Sequence, residues 1–462
     1  MAGPGRSLLG ASNKRRSGLL RFSLCLLGCA ATVDPGWAGA QARRLEKTAA
    51  QHRDENGEAL HEAKSPIALT LTYISDANAG LSGGERTGTA YLQRIGALVD
   101  ADLATAVGWR GASFHMSVHA ISGQGLSEHR VGNILTVSGI EAEPAFRLFN
   151  LWIEQALRGG GTLRLGQFTA GQEFAISTTA NLFINSTFGW PASFATDLPS
   201  GGPAYPLAAP GIRISAVPDD RTTVRLAMFS GDPAGQGHRD PQRRDLHGFN
   251  GWRLTDKPLV IAEIVRASSA SDPAWALTLG GWIHFDRFAD QRYDGAHASL
   301  ASPTSTGEPL QHRNDAAIYA IVDLRLLQAS DRALHGFVRA TASPADRNPV
   351  DIYADAGLSL TAPLAGRPAD VAGIAVSIAH ISKGVRRLVQ DRAALLRQPL
   401  RPPALEAVVE ATYQARLRPG LSIQPNVQVI LSPSASLVSD PLSFGRTPGT
   451  AFVGGLRTSL RF

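Results

Sequence analysis

The chain reads as an all-β protein: a closed antiparallel transmembrane β-barrel of about sixteen strands, with long loops on one side and an in-folded third loop. Three observations carry this expectation. Segments of period-two alternation run from Ile67 to Phe462, and that period sends successive side chains to opposite faces of a strand. Glycine contributes 47 of 462 residues, which suits a chain with many turns. The composition is 44% hydrophobic and 18% charged, yet mean hydropathy is only −0.05; an ordinary soluble domain carries about 25% charge. No run approaches the roughly twenty apolar residues that a spanning helix needs. A barrel reconciles these facts, because its outward residues are apolar and its inward ones polar.

Residues 1–40 have the pattern of an export signal. Arg6, Lys14, Arg15, Arg16 and Arg21 precede the apolar stretch Phe22 to Ala31, and small residues follow; the short core suits a signal and not a membrane anchor. Ala38-Gly39-Ala40 is the best cleavage site, so the mature chain is expected to begin near Gln41, exported to the bacterial outer membrane. Leu26-Leu27-Gly28-Cys29 offers a lipoprotein-type alternative, and Arg15-Arg16 a twin-arginine one. Both cysteines, Cys25 and Cys29, lie in this leader, so a chain cut after Ala40 has no disulfide and no Cys-ligated metal. The net charge of +6 is partly leader charge, and it supports no nucleic-acid partner. Residues 41–64 are polar and lack an apolar stripe; they are expected to form a periplasmic linker ahead of a barrel domain spanning 65–462.

The strands are expected near 67–76, 92–104, 111–120, 148–157, 161–168, 211–217, 222–230, 259–267, 274–286, 316–328, 334–343, 351–361, 371–381, 404–416, 421–432 and 451–461. In the first, Ile67, Leu69, Leu71 and Tyr73 share one face. In the fifteenth, Gln424, Asn426 and Gln428 oppose Ile423, Val427, Val429 and Leu431. In the last, Phe452, Leu456, Leu460 and Phe462 oppose Arg457, Ser459 and Arg461. Gly159-Gly160-Gly161, Pro218 to Arg221, Ser330 to Ala333 and Arg418-Pro419-Gly420 are tight connections, whereas most alternate connections are longer. Short turns at one end and long loops at the other are how outer-membrane barrels are built.

Several ordered motifs resemble one family. They include Leu163-Arg164-Leu165-Gly166-Gln167, Glu173-Phe174, Leu182 to Trp190, Gly201 to Pro206, Phe229 to Gly235, Gly280-Gly281-Trp282, Arg347-Asn348, Asp351 to Gly357, and Glu410, Tyr413, Gln424 to Gln428 and Pro433. Together, from Ile67 to Phe462, they are similar to the carbohydrate-selective (OprB-like) porins. The resemblance implies a passive outer-membrane channel for sugars such as glucose and for similar small solutes. A general or anion-preferring porin is the alternative, followed by an adhesin or an outer-membrane hydrolase.

No catalytic motif is found: there is no G-x-S-x-G, no H-E-x-x-H and no phosphate-binding glycine loop. No cofactor is expected. His115 and His119 share a strand face about 13 Å apart, too far for one metal ion. Period two puts Arg164, Arg213, Arg225, Asp323, Arg325, Asp355, Arg457 and Arg461 on the inward face. Residues 231–257, with Arg239, Asp240, Arg243, Arg244, Asp245 and His247, read as a solvated loop, or as a vestibule that attracts anions. The strand tryptophans Trp152, Trp275 and Trp282 are expected in the interface belt. The connection Thr169 to Pro210 is too long and too apolar for a free loop. It is expected to enter the barrel, pack Leu182, Phe183 and Phe188 on the wall, and bring Glu173, Asn181, Asn185 and Trp190 to the solute opposite Arg164. The constriction is therefore assigned to Arg164, Glu173, Asn181, Asn185, Trp190, Arg213, Arg225, Asp323 and Arg325. Expected partners are sugars, outer-membrane lipid and, through the terminal Phe462, the barrel-assembly machinery; monomer and homo-oligomer both stay open.

Overall fold

A computed structural model describes residues 65–462 apart from 238, 250, 251, 331 and 399. The leader and linker expectations fall on residues outside these. Sixteen strands follow in order: β1 Ile67–Gly84, β2 Gly88–Asp102, β3 Ala112–Gly123, β4 Ala145–Ala156, β5 Thr162–Phe168, β6 Ala209–Asp219, β7 Thr222–Ser230, β8 Pro258–Ala267, β9 Trp275–Asp294, β10 Pro309–Ala329, β11 Arg332–Ala342, β12 Val350–Thr361, β13 Val371–Ile381, β14 Leu405–Arg418, β15 Leu421–Leu431 and β16 Gly449–Arg461. Each pairs with its neighbours, and β16 closes on β1. The seam is antiparallel, with Thr72 opposite Arg461. It ends where Phe462 and Leu71 exchange two backbone hydrogen bonds of 2.9 and 3.2 Å. Closure matters because a strand edge in hydrocarbon would leave its N–H and C=O groups without partners.

Every strand expected from periodicity is present. β1, β9 and β10 run well beyond their expected ends, since their alternation continues through polar residues that rise out of the bilayer. The loops at the long end, L1 to L8, cover 85–87, 124–144, 169–208, 231–257, 295–308, 343–349, 382–404 and 432–448. L1 and L6 depart from the length rule, L1 because β1 and β2 stay paired as far as Gly80 and Gly88.

The alternation sorts lipid from lumen. Ile67, Leu69 and Leu71 are exposed on the outer face, as are Val427 and Phe452, while Gln424, Asn426 and Gln428 are buried on the inner one. Inward polar side chains are buried because L2 and L3 fold into the barrel against them. Two of the strand tryptophans depart from the belt expectation. Trp152 and Trp282 point inward and are buried, and only Trp275 lies exposed on the outer face. Trp152 stacks on His115 at 5.0 Å, and Trp282 meets Phe194 of L3 edge-on at 5.9 Å. An aromatic on the inner face has loop side chains to pack on, which strand periodicity does not report.

β5 is short and pairs with β4 only from Leu151 to Ala156. Above it, L4 patches the wall: the Leu148 N–H donates to His247 O at 3.1 Å, and Gln167 Nε2 donates to Gly248 O at 2.8 Å. Gly248 has φ of 77°, and a Cβ there would sit 1.9 Å from Leu148 O, so glycine is required. Arg147 on β4 holds L4 further, through Asp245 O at 2.6 Å. L4 is thus part of the wall as well as a surface loop.

Candidate functional site

L3 is a chain of short turns: Ala170–Gln172, Ala180–Leu182, Ser186–Phe188, the helix Ala192–Asp197, and Pro199–Gly201. Its apolar side chains anchor it in two places. Phe183 and Phe188 lie 4.9 Å apart, and Phe188 meets Phe337 of β11 edge-on at 6.4 Å. Phe194 meets Tyr319 of β10 at 5.7 Å. Phe188 and Phe194 have no exposed surface, so these side chains of L3 are packed against the inner wall.

Hydrogen bonds from the wall then fix the backbone of the loop. Arg339 on β11 is fully buried and donates to the carbonyls of Ala175 and Thr187 at 2.8 Å, Phe188 at 3.0 Å and Gly189 at 3.2 Å. Its charge is met by Asp355 at 2.5 Å. Tyr353 Oη donates to Asp355, and Thr187 Oγ1 donates to Tyr353 Oη. Glu410 accepts the N–H groups of Ile184 and Asn185, both at 2.8 Å. Glu263 accepts from Ala175 N and from Tyr319 Oη, and Gln424 donates to Leu182 O at 2.7 Å. L2 is held in the same manner. Glu406 accepts from Ile134, Leu135 and Ser434 N–H groups, and Gln428 donates to Val137 O. Such a loop can enter a barrel because its backbone groups find partners there.

The third feature is a charge quartet. In cross-strand register Glu154 faces Arg164, and Arg164 faces Arg213. Two adjacent arginines repel unless carboxylates bridge them. Glu154 Oε2 accepts from Arg164 at 2.9 Å and Arg213 at 2.8 Å. Glu173 of L3 reaches down to the same pair, 2.7 Å from Arg164 and 2.6 Å from Arg213. Burial alone would raise the Glu173 carboxyl, but Arg164 and Arg213 reverse this and hold it below the usual carboxylate range. Arg164 also lies over the Trp152 ring at 3.6 Å, a cation–π contact. Two positive and two negative charges share one inner patch, each side chain keeping between 6% and 10% of its surface open. Next along the wall, Arg225 pairs with Glu263 at 2.9 Å and is 28% exposed.

The expected site residues therefore separate. Glu173, Arg164 and Arg213 come together, with Glu173 touching the arginines instead of facing them across a gap. Arg225 is their neighbour. Asn181 is exposed on L3. Asn185 is 1% exposed; its amide donates to Leu135 O and Gln428 Oε1 and its oxygen accepts from Thr187 N, so it shapes the loop. Trp190 donates to Gly201 O at 3.2 Å and packs on Phe194. Asp323 accepts from Ser177 Oγ and Thr179 N. Arg325 pairs with Asp272 in the turn between β8 and β9, at the short-turn end of the barrel and away from L3. Glu154, Arg339 and Glu263 were not singled out from the sequence, and Glu410 entered only as part of the family resemblance; charged residues at inward positions beside a long apolar loop are the signal that marks them. Among the described residues no group of three or more His, Cys, Asp or Glu is placed to hold a metal. His115 pairs with Asp100 at 2.7 Å, and His119 packs against Phe149.

A closed sixteen-stranded barrel with a long loop pinned inside its lumen is the architecture of an outer-membrane porin. Within that class the chain belongs to the carbohydrate-selective porin, OprB family, whose model matches residues 86–462. It is similar to Porin B of Pseudomonas aeruginosa, 23% identical over 404 residues, covering 79% of this chain and 82% of that protein. The high-pH structure of Pseudomonas putida OprB superposes with a TM-score of 0.73 at 20% identity, covering 92% of this chain and 97% of the other. The low-pH structure of the same protein gives a TM-score of 0.50 at 15% identity, covering 93% and 97%. The chain is accordingly a passive outer-membrane channel for carbohydrates, a channel rather than an enzyme.

Proposed function

We propose that the constriction of this sugar channel is the patch where L3 meets the wall at Glu154, Arg164, Glu173 and Arg213, with Arg225 and Glu263 beside it and Asn181 reaching the solute from the loop. The observation that carries this reading is the charge balance of the quartet. Two guanidiniums and two carboxylates fixed in mutual contact present donors and acceptors without a net field. An ion gains little from such a patch, whereas a neutral polyol exchanges its water contacts for hydrogen bonds with both kinds of group. The Arg164–Trp152 stack gives the patch a rigid face. Asn185, Trp190 and Asp323 act one step back, by holding L3 in place.

Planar-bilayer recording tests this. Wild-type current should fall as glucose is added, and Glu173→Gln or Arg164→Ala should weaken that block while the barrel stays heat-modifiable. Unchanged sugar block in both variants, with ion selectivity altered, would favour a general or anion-preferring pore. Leader cleavage near Ala40 and recognition of Phe462 during assembly belong to the same proposal, with monomer and homo-oligomer the two states to be distinguished. Amino-terminal sequencing, in vitro assembly kinetics and analytical ultracentrifugation test them in turn.

A further inference from the structure

We infer that the outer wall at β10–β14 carries a dedicated site for one phosphorylated lipid of the outer leaflet, with its headgroup on L7 and a hydrocarbon chain in a groove below. The groove has a volume of about 440 Å³, and Leu324, Gly336, Val338, Ala356, Ile374 and Val376 are among its lining residues, all of them apolar or glycine. The groove lies over Gly336, which has no side chain and where a Cβ would meet Leu326 and Leu358 at 3.2 Å. The outward row of β13 continues upward from Ile374 and Val376 through Ile378 to His380, and Ile352 and Leu405 stand exposed on the neighbouring strands.

At the top of this row sits a polar fastening. His380 Nδ1 lies 2.6 Å from Asp351, and Arg386 approaches His380 Nε2 at 3.4 Å while donating to Ile381 O at 3.0 Å. Arg386 belongs to the helix Lys383–Leu395. L7 contains Lys383, Arg386, Arg387, Arg392, Arg397 and Arg401 against one acid, Asp391, and Asp391 is taken by Arg292 at 2.8 Å and by Ser299. Lys383, Arg387, Arg397 and Arg401 are exposed, as are the adjoining Leu395 and Leu396. Cations flanked by leucines at the edge of a lipid-facing wall are complementary to a headgroup layer carrying phosphate. A second copy fits less well in a two-fold pairing, because each copy would bring the same surplus positive charge to the interface.

Native mass spectrometry of the full barrel, released from detergent with diphosphoryl lipid A or with its phosphate-free form, tests the site. One retained diphosphoryl lipid is expected. The double variant Arg386→Ala with Arg387→Ala should weaken retention by about thirtyfold, each basic side chain near an anionic layer contributing a factor of about five. Ala356→Trp, which fills the groove and changes no charge, should displace the same lipid, and sugar block should be unaffected in both cases. Equal retention of the two lipid forms, or full retention by either variant, would overturn the inference. So would a barrel that assembles as a multimer through this face with no lipid held in the groove.

Discussion

Two of the buried arginine–carboxylate clusters on the inner wall do different things. At β11–β12, Arg339 meets Asp355 with no surface left to solvent and directs its remaining N–H groups to four carbonyls of L3. At β4–β6, Arg164 and Arg213 meet Glu154 and Glu173 side chain to side chain, and each keeps a sliver of its surface open. The residue types are the same. What differs is whether the guanidinium hydrogens face backbone or other charges, which makes the first a clamp and leaves the second as the patch proposed above to meet the solute. The comparison also gives L3 two distinct attachments, one through its backbone and one through Glu173.

The largest effect is expected at the clamp. Arg339→Met leaves Asp355 as an unpaired buried charge and four carbonyls without donors, a loss on the scale of about 3 to 5 kcal/mol. L3 should detach, raising conductance and lowering the temperature at which the barrel unfolds in detergent. Arg339→Lys should rescue little, since an ammonium lacks the planar fork. A wild-type conductance in Arg339→Met would break the distinction between clamp and quartet.

Glu173→Gln comes next. With only Glu154 left to answer two arginines, the pore should shift toward anions, and sugar block should weaken by about tenfold, the scale of one hydrogen bond to a charged group. Reversal potentials under a salt gradient measure the first effect and glucose titration of the current the second. Asn185→Ala should instead loosen L3 and increase current noise without shifting selectivity.

The response to pH sharpens the contrast further. Glu173 is held below its ordinary value of 4.5 by Arg164 and Arg213. Its contribution is therefore fully present above that value and is lost only as pH falls through the lower folded one. Selectivity should stay flat from pH 8 to pH 5. Glu141 of L2 accepts from Ser127 N and Oγ, and burial pushes its carboxyl up to about 7. In the window between 4.5 and 7 the folded loop holds a proton that the free carboxyl has lost, so L2 is anchored more firmly at pH 5 than at pH 8. Current flicker should rise between those two values in the wild type and not in Glu141→Gln. The smallest global effect is expected from deleting Phe462, whose two backbone bonds at the seam are together worth about 1 to 3 kcal/mol. It should appear as a lower yield of heat-modifiable barrel.

Much of this protein is set by its sequence alone. The sixteen strands follow from alternation, which is a local property of the backbone: each residue goes in or out according to its own position in the pleat. The side of most turns follows from connection length, and the entry of L3 from an apolar stretch too greasy for solvent. L2 carries a comparable stretch, Ile134 to Val137, whose entry into the barrel the strand pattern did not mark. What the tertiary structure decided is which inward polar groups are left over for the solute. Alternation placed Arg164 and Asp323 on the same face, yet one joins Glu173 while the other holds Ser177, from β10 at a separation of 146 residues. Glu410 and Asn185 meet across 225 residues. Periodicity fixes direction and says nothing of partner, because a partner depends on where a folded loop comes to rest. The hydrogen-bonding needs of that loop's backbone then determine which wall side chains hold it and which remain to line the channel.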